Sequence, residues 1–600
     1  MTVNSNGSRA LSSAFVEDVR DFRERSIKQG LTFEGLTVEG ALYGIITFAA
    51  LVVRLASLGR WPLVEEEAHT ALAAWRALQG ARPVHSFEYI PLLYDANLVF
   101  FALTRASDVA VRLLPAFMGT ALVLLPYSCR DVLGRQGSLM ASLLLAFAPT
   151  WVFFSRTSEG TIPTVTLSAV ILVSILRYLR TGDGTRLRWG FAALGLGLTA
   201  GPGIYTFLVY ALLYGGIWWL IRHDDAFRER GGTLFQGAFT RWNVSMLVGT
   251  FLLFGSAFLS NPGGIGVSIN LAGRWVRALS PVGDLSSLAL VKTLLMYEFL
   301  TVVLGVVGIV WGLSGRDRLT SFLALWVAWG LLLSVPLGHR EPQWLPHLLL
   351  PLVILAVRGF QYLWDHLIRG VGRDEGIVFW AAVVLMALAF LELCAYIHTA
   401  QVRYLLYAAG GGGVVLAMWG ASWFWLGRRG ALAVGVGILL LCMAVVTVRG
   451  STALAYQTGR DAREGMVHRP ASTQLHALER FLQEFSSRRA EGRRAMEVDY
   501  EESLDPWMGW YLRDYPHARS VPFGDARAGT VVLITEERLE EEQPAGYGGQ
   551  GFHLRERRPA QTLSLREFLR WLVYRDAVGI VEAERIHVWV RLETEDQTIR

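Results

Sequence analysis

Residues 41–69 read ALYGIITFAALVVRLASLGRWPLVEEEAH. Over 41–58 the only charge is Arg54, and a run this apolar and this long predicts a helix that crosses a bilayer. The chain then passes through Gly59-Arg60-Trp61-Pro62-Leu63-Val64 into three consecutive carboxylates, Glu65, Glu66 and Glu67, followed by Ala68 and His69. Carboxylates at the lip of a membrane are costly to desolvate, so their presence there points to function. Their place after the first span also decides which side of the membrane any chemistry would face.

The rest of the 600-residue chain fits that beginning. Its composition is 52% apolar and only 18% charged, and its mean hydropathy is +0.36. Those values exclude an ordinary soluble enzyme and predict a mainly α, polytopic transmembrane helical bundle. A window of roughly 19 residues places about thirteen spans near 41–58, 107–127, 137–154, 161–179, 188–200, 203–221, 242–260, 290–313, 319–337, 343–364, 376–398, 404–426 and 430–448. Gly201-Pro202-Gly203 interrupts one long apolar run, and Gly410–Gly413 supplies small residues for close helix packing. The expected division is a cytoplasmic segment 1–40, a membrane domain 41–449 containing a long loop 59–106, and a polar domain 450–600. The first 40 residues are charged and lack the apolar core of a signal peptide, so no cleavable leader is expected. Residues 14–30 predict a short amphipathic surface helix.

The basic residues give an independent check on topology. With the N-terminus inside, alternate connections hold about twenty-two Lys and Arg inside against about nine outside. This predicts an integral membrane protein with 59–106, 155–160, 261–289, 338–342 and the C-terminal domain on the extracytoplasmic side. The formal charge of +5 is almost wholly arginine and forms no clustered stripe, so it does not suggest nucleic acid. Cys129, Cys394 and Cys442 show no paired spacing, which argues against a disulfide framework, a zinc site or a thiol nucleophile.

Within the 59–106 loop, the spacing of Ala68, Leu72, Trp75 and Leu78 predicts a helix from Glu65 to Gln79, with a second from Pro91 to before Ser107. In the tail, helices are expected over His476–Arg489 and Leu565–Asp576, and strands over Gly529–Glu537 and Ile586–Leu592, giving an α/β or α+β domain. No phosphate-binding glycine loop or nucleophile elbow occurs there. The aromatic cluster Trp507, Trp510, Tyr511 with Arg513 suits either sugar stacking or core packing.

Successive helical residues are splayed by about 100°, so Glu65, Glu66 and Glu67 cannot all face one site. They serve either as chemistry or as an acidic first turn complementing the helix dipole. Arg156, on the turn after the third span, suits a phosphate clamp or a snorkelling side chain. His339 and Arg340 share a later turn, Lys292 stands at a span end, and His69 lies one turn beyond Glu65. Glu298 and Glu392 sit within spans, where pairing is the expectation.

The string from Arg54 to Gly80, RLASLGRWPLVEEEAHTALAAWRALQG, resembles the corresponding segment of C-type (GT-C) membrane glycosyltransferases, relatives of protein O-mannosyltransferases and aminoarabinose transferases. Glu66-Glu67-Ala68 stands where that family most often has Asp-Glu-Ala. Val111-Arg112-Leu113-Leu114-Pro115-Ala116, Phe154-Ser155-Arg156 and Gly338-His339-Arg340-Glu341 follow in the family's order, and the resemblance spans roughly 40–365. It implies transfer of a hexosyl or pentosyl group, with inversion, from a polyprenyl-phosphate-linked sugar to a lipid, glycan or protein acceptor. It also implies Glu66, or else Glu67 or Glu65, as general base, and Arg156, Arg340, His339, Lys292 or His69 as substrate-binding groups. Some members use a divalent metal, so a metal cofactor stays open, although no second acidic cluster on an outer loop makes one compelling. Two other readings stand beside this one: a flippase or transporter of lipid-linked precursors, or a homologue that binds lipid-linked sugars without turning them over.

Overall fold

The first apolar run forms a helix from Val38 to Leu55, started by the Thr37 hydroxyl, which accepts from the Gly40 N–H at 3.1 Å. The structure, a computed structural model, describes residues 32–33, 36–81, 89–221, 238–280, 285–467, 470–488, 496–522, 530–537, 544, 546–557, 565–574 and 581–592. The helix expected over 14–30 lies outside the described residues, as do 82–88 of the loop and Arg222, Arg228 and Arg230 of the arginine count.

Among the described residues, seven helical runs are long and apolar enough to cross a membrane, or eight if Ala289–Tyr297 and Phe299–Ser314, bent by 99°, count as one span. By length and apolar composition the expectation of about thirteen is therefore not confirmed. Leu187–Ala200, Arg241–Gly255 and Arg318–Ser334 have 14, 15 and 17 residues. At 1.5 Å per residue they reach only about 21–26 Å, short of a hydrocarbon core of about 30 Å. The run Leu113–Phe147 counts once by length, yet it doubles back. The Ser142 hydroxyl donates to the Val123 carbonyl at 2.7 Å, a pair that a straight helix would hold roughly 28 Å apart. Gly134, at φ 71°, takes part of that bend in a conformation that side chains resist.

Thr161–Thr181 and Leu345–Leu363 lie at the centre of the bundle, with Val165, Leu345, Leu349 and Val357 fully or almost fully buried. Leu345–Leu363 packs closely on Phe299–Ser314. A Cβ on Gly308 or Gly359 would fall 2.0 Å from a carbonyl oxygen of the opposing helix, so only glycine permits that approach.

The helix Gly427–Tyr456 runs past the expected boundary at 449. Beyond it the chain builds a five-stranded mixed sheet from β1 (Val498–Glu501), β2 (Ala518–Val521), β3 (Val532–Glu536), β4 (Tyr547–Arg557) and β5 (Glu582–Arg591). The order is β2-β1-β3-β5-β4, with β1 parallel to both neighbours and the other pairs antiparallel. Helices Gln474–Arg488 and Leu565–Tyr574 accompany it.

This sheet does not stand apart from the 59–106 loop. Leu63, Ala68, Ala71 and Phe101 share one core with Leu475, Leu478, Val498, Trp507 and Trp510. The Trp507 indole donates to the Leu63 carbonyl at 3.2 Å, and the Trp510 indole to Asp108 at 2.9 Å. The aromatic cluster of the tail therefore packs and bonds at this joint, and Arg76–Asp505 (3.0 Å) and His476–Asp108 (3.1 Å) reinforce it.

Candidate active site

The acidic triplet begins the helix Glu65–Leu78, and its three members part company as the 100° spacing requires. Glu67 turns inward and is fully buried. Arg112 binds it through Nε at 3.0 Å and Nη2 at 2.6 Å, and Arg460 adds a contact at 3.1 Å. The backbone N–H groups of Ser158 (2.7 Å) and Val64 (3.1 Å) also donate to it. Burial acts to raise its pKa, but the two guanidinium groups and these donors hold it down at about 2. Glu67 is thus a permanently ionised anchor with every lone pair engaged, which does not suit the base role open to it in the sequence. Arg112 extends the same network to the carbonyls of Leu58, Trp61 and Pro62 and so pins the turn that leads into the helix.

Glu66 takes the opposite course. It opens into a cleft lined by Glu65, Glu159, Glu341, Arg460, Phe153 and Phe154 among others. Solvent reaches its side chain, and it makes no ion pair among the described residues. The surrounding protein nevertheless desolvates it and raises its pKa, an effect strengthened by Glu341, Glu65 and Glu67 and opposed by Arg274. Glu159, on the turn before Thr161–Thr181, is pushed up to about 8 by burial and then by Glu66, against Arg460. Gly160 closes that turn in the left-handed region at φ 78°. A Cβ there would meet the Ala200 carbonyl at 2.5 Å, so the turn needs glycine. Glu65 faces the sheet and pairs with Arg555 at 3.3 Å.

The expected cationic groups lie in several places, and none of them is among the cleft-lining residues. Arg156 donates from Nη1 to the carbonyls of Val53, Arg54 and Ala56 and from Nη2 to Ser57, and it stacks on Tyr456. These are orphan carbonyls at the end of Val38–Leu55, so Arg156 acts as a helix cap. We expect Arg156→Gln to lower stability by about 2–4 kcal/mol, measured as a thermal shift. A change confined to KM, with stability intact, would restore the phosphate-clamp reading.

His339 is buried flat against Trp344 at 3.7 Å with Trp275 edge-on, and burial lowers its pKa to about 4. It is neutral at physiological pH and unsuited to pairing with phosphate as a cation. Arg340 donates to the carbonyls of Leu337 and Leu285. Lys292 is exposed, on a helix that packs against Pro342–Trp344 at the cleft rim, and His69 is partly buried further along the helix of the triplet. Among the described residues the one cationic group in the lining is Arg460, beyond the last span, which the sequence did not single out. Glu298 caps the short helix Pro149–Phe154 by accepting from the Thr150 N–H at 3.0 Å, and so it supports the helix whose Phe153 and Phe154 line the cleft. Among the described residues no set of three or more His, Cys, Asp or Glu is close enough to hold a metal ion.

The chain shares its fold with solved GT-C membrane glycosyltransferases. The chain superposes on ArnT from Cupriavidus metallidurans in the apo state with a TM-score of 0.53 and 14% identity, over 91% of this chain and 97% of that one. With the same enzyme bound to undecaprenyl phosphate the TM-score is 0.54, at the same identity and coverage. The oligosaccharyltransferase AglB from Archaeoglobus fulgidus, in complex with an inhibitory peptide and a dolichol-phosphate, aligns at 10% identity and a TM-score of 0.44, over 83% of this chain and 69% of that one. No family model and no curated protein matches the sequence.

Proposed function

We propose that the protein is an integral membrane glycosyltransferase that moves a sugar, with inversion, from a polyprenyl-phosphate donor to an acceptor held in the acidic cleft, and that Glu66 is its general base. The observation that carries this reading is the division of labour in the triplet: Glu67 is locked by two arginines while Glu66 opens into the cleft. The fold shared with ArnT, one structure of which holds undecaprenyl phosphate, supports the donor class.

In this mechanism Glu66 takes the proton of the acceptor hydroxyl as its oxygen attacks the anomeric carbon. The bond between that carbon and the phosphate oxygen breaks, and polyprenyl phosphate leaves with the electron pair. Arg460, at the cleft wall, meets the charge gathering on the phosphate. Lys292 and Arg340 stand at the rim as further phosphate partners, and the cleft with the sheet domain faces away from the cytoplasm. A carboxylate ringed by other carboxylates is a stronger base than a free one, which suits proton abstraction from a hydroxyl.

The test is release of labelled sugar from polyprenyl-phosphate donors by the purified protein. Absence of transfer with every donor, together with scrambling of labelled lipid-linked sugar across vesicles, would favour the flippase. The cleft also sets the pH profile. The base must be ionised, so kcat/KM should rise with pH, with its midpoint above the usual carboxylate range because the Glu66 pKa is raised. Glu341→Gln removes the strongest like charge acting on Glu66, and the rising limb should move to lower pH. An unshifted limb would detach the profile from Glu66.

A further inference from the structure

A second, apolar cavity lies at the other end of the same central helices. Leu122, Leu145, Leu172, Leu350 and Val353 are among its walls, and among the described residues Cys129 is the one lining residue that is not a plain hydrocarbon. Thr161–Thr181 starts beside Glu159 in the acidic cleft and brings Leu172 and Leu176 to this cavity. At 1.5 Å per residue that is roughly 17–22 Å further along the helix. The turn Pro342–Trp344 and the helix Leu345–Leu363 that follows it also join the two, with Pro342 and Gln343 at the cleft and Leu350 and Val353 at the cavity.

Three arginines gather at its mouth. Arg130 follows Cys129 directly and lies over the Tyr127 ring at 4.9 Å. Arg177 donates to the Ser128 carbonyl from Nε at 3.3 Å and Nη2 at 3.0 Å. Arg177 and Arg180 are both close enough to act on the Cys129 thiol, as is the acid Asp131. All three arginines are exposed, and none joins an ion pair among the described residues. An apolar chamber has no group with which to orient a polar ligand. Guanidinium groups at its entrance, hydrogen-bonded only to the Ser128 carbonyl and the Tyr127 hydroxyl and carrying no carboxylate partner among the described residues, select an anion.

We propose that this cavity is a binding site for an anionic phospholipid of the surrounding bilayer, with one acyl chain inside and the headgroup phosphate against Arg130, Arg177 and Arg180. The charge complementarity of the rim and the hydrocarbon lining commit the site to a molecule that is acidic at one end and apolar along the rest. By the arginine bias of the connections this is a lipid of the cytoplasmic leaflet. The site is separate from the acidic cleft and does not depend on the reaction proposed for it.

The experiment is native mass spectrometry of the full-length protein in neutral detergent, titrated with phosphatidylglycerol and with phosphatidylcholine of the same chains. Wild type should hold phosphatidylglycerol at least about tenfold more tightly, and Arg177→Gln/Arg180→Gln should abolish that preference while leaving phosphatidylcholine unchanged. Ala169→Phe, which fills the chamber, should weaken both lipids. Because a larger side chain in a packed helix can impair folding, maleimide labelling of Cys129 in the wild-type protein, resolved by peptide, is the second readout. Phosphatidylglycerol should slow it several-fold and phosphatidylcholine should not. Equal binding of the two lipids, a preference that survives the arginine pair, or Cys129 labelling indifferent to phosphatidylglycerol would each overturn the proposal. Displacement of phosphatidylglycerol by an equal concentration of undecaprenyl phosphate, with loss of that binding in the same arginine variant, would overturn it in favour of an isoprenoid occupant.

Discussion

Glu66→Gln is expected to lower kcat for sugar transfer by about 10²–10⁴-fold while leaving the thermal midpoint and the binding of polyprenyl phosphate unchanged. The substitution keeps the size and polarity of the side chain and removes only its ability to hold a proton. A thousandfold loss corresponds to about 4 kcal/mol of transition-state stabilisation, within the range of one positioned base. Stability should hold for a specific reason. The folded surroundings raise the Glu66 pKa above its ordinary value of 4.5. The folded state therefore binds that proton more tightly than the unfolded chain, and ionised Glu66 is a burden on the fold at neutral pH. A neutral amide relieves the repulsion from Glu341, so the midpoint should stay level or rise. Transfer that survives in Glu66→Gln would remove Glu66 from the base role and leave Glu159, the other raised carboxylate of the cleft, as the group to test.

What the sequence made legible depended on whether the signal was local. The helix expected over Glu65–Gln79 is found at Glu65–Leu78, and the one expected over His476–Arg489 at Gln474–Arg488, because each carries a clear apolar stripe. The strand expected over Ile586–Leu592 is the end of a longer one, Glu582–Arg591, whose polar first half alternates too weakly to read. Tyr547–Arg557 was invisible as a strand, since Gly548, Gly549 and Gly551 are poor strand formers and only pairing with Glu582–Arg591 holds them extended. The span count is not confirmed where apolar helices are short: Leu187–Ala200 and Arg241–Gly255 stop after 14 and 15 residues, less than a full crossing needs. At the site, the triplet and the 100° rule announced that its members would differ, but not which one would open into the cleft. That choice is made by Arg460, 393 residues away in the chain, whose reach to Glu67 has no local signature. The helix-capping contacts of Arg156 were hidden by the same gap. An arginine on a turn after a span looks free until the carbonyls of the first helix are found within its grasp.

Glu67→Gln should give the mirror image of Glu66→Gln: a loss of about 3–5 kcal/mol in stability, seen as a large fall in the thermal midpoint, with activity lost only as the fold is lost. Arg112 and Arg460 are both buried, and without Glu67 their charges are left close together without the carboxylate that bridges them. Arg112 would still hold the carbonyls of Leu58, Trp61 and Pro62, but its repulsion from Arg460 would press on that same turn. The pH dependence follows in sign. With a folded pKa of about 2 against an ordinary 4.5, Glu67 contributes its full share of stability above 4.5 and loses it progressively as pH falls toward 2. The acid limb of the wild-type stability curve should therefore flatten in Glu67→Gln. Removing the charges together tests the cause: Glu67→Leu with Arg112→Met and Arg460→Met should recover part of the midpoint, because a buried triad replaced by hydrocarbon avoids the desolvation of all three ions. A Glu67→Gln protein as stable as wild type would mean that the two guanidinium groups find other partners. The separation of an anchoring glutamate from a reactive one, a single residue apart, would then lose its physical basis.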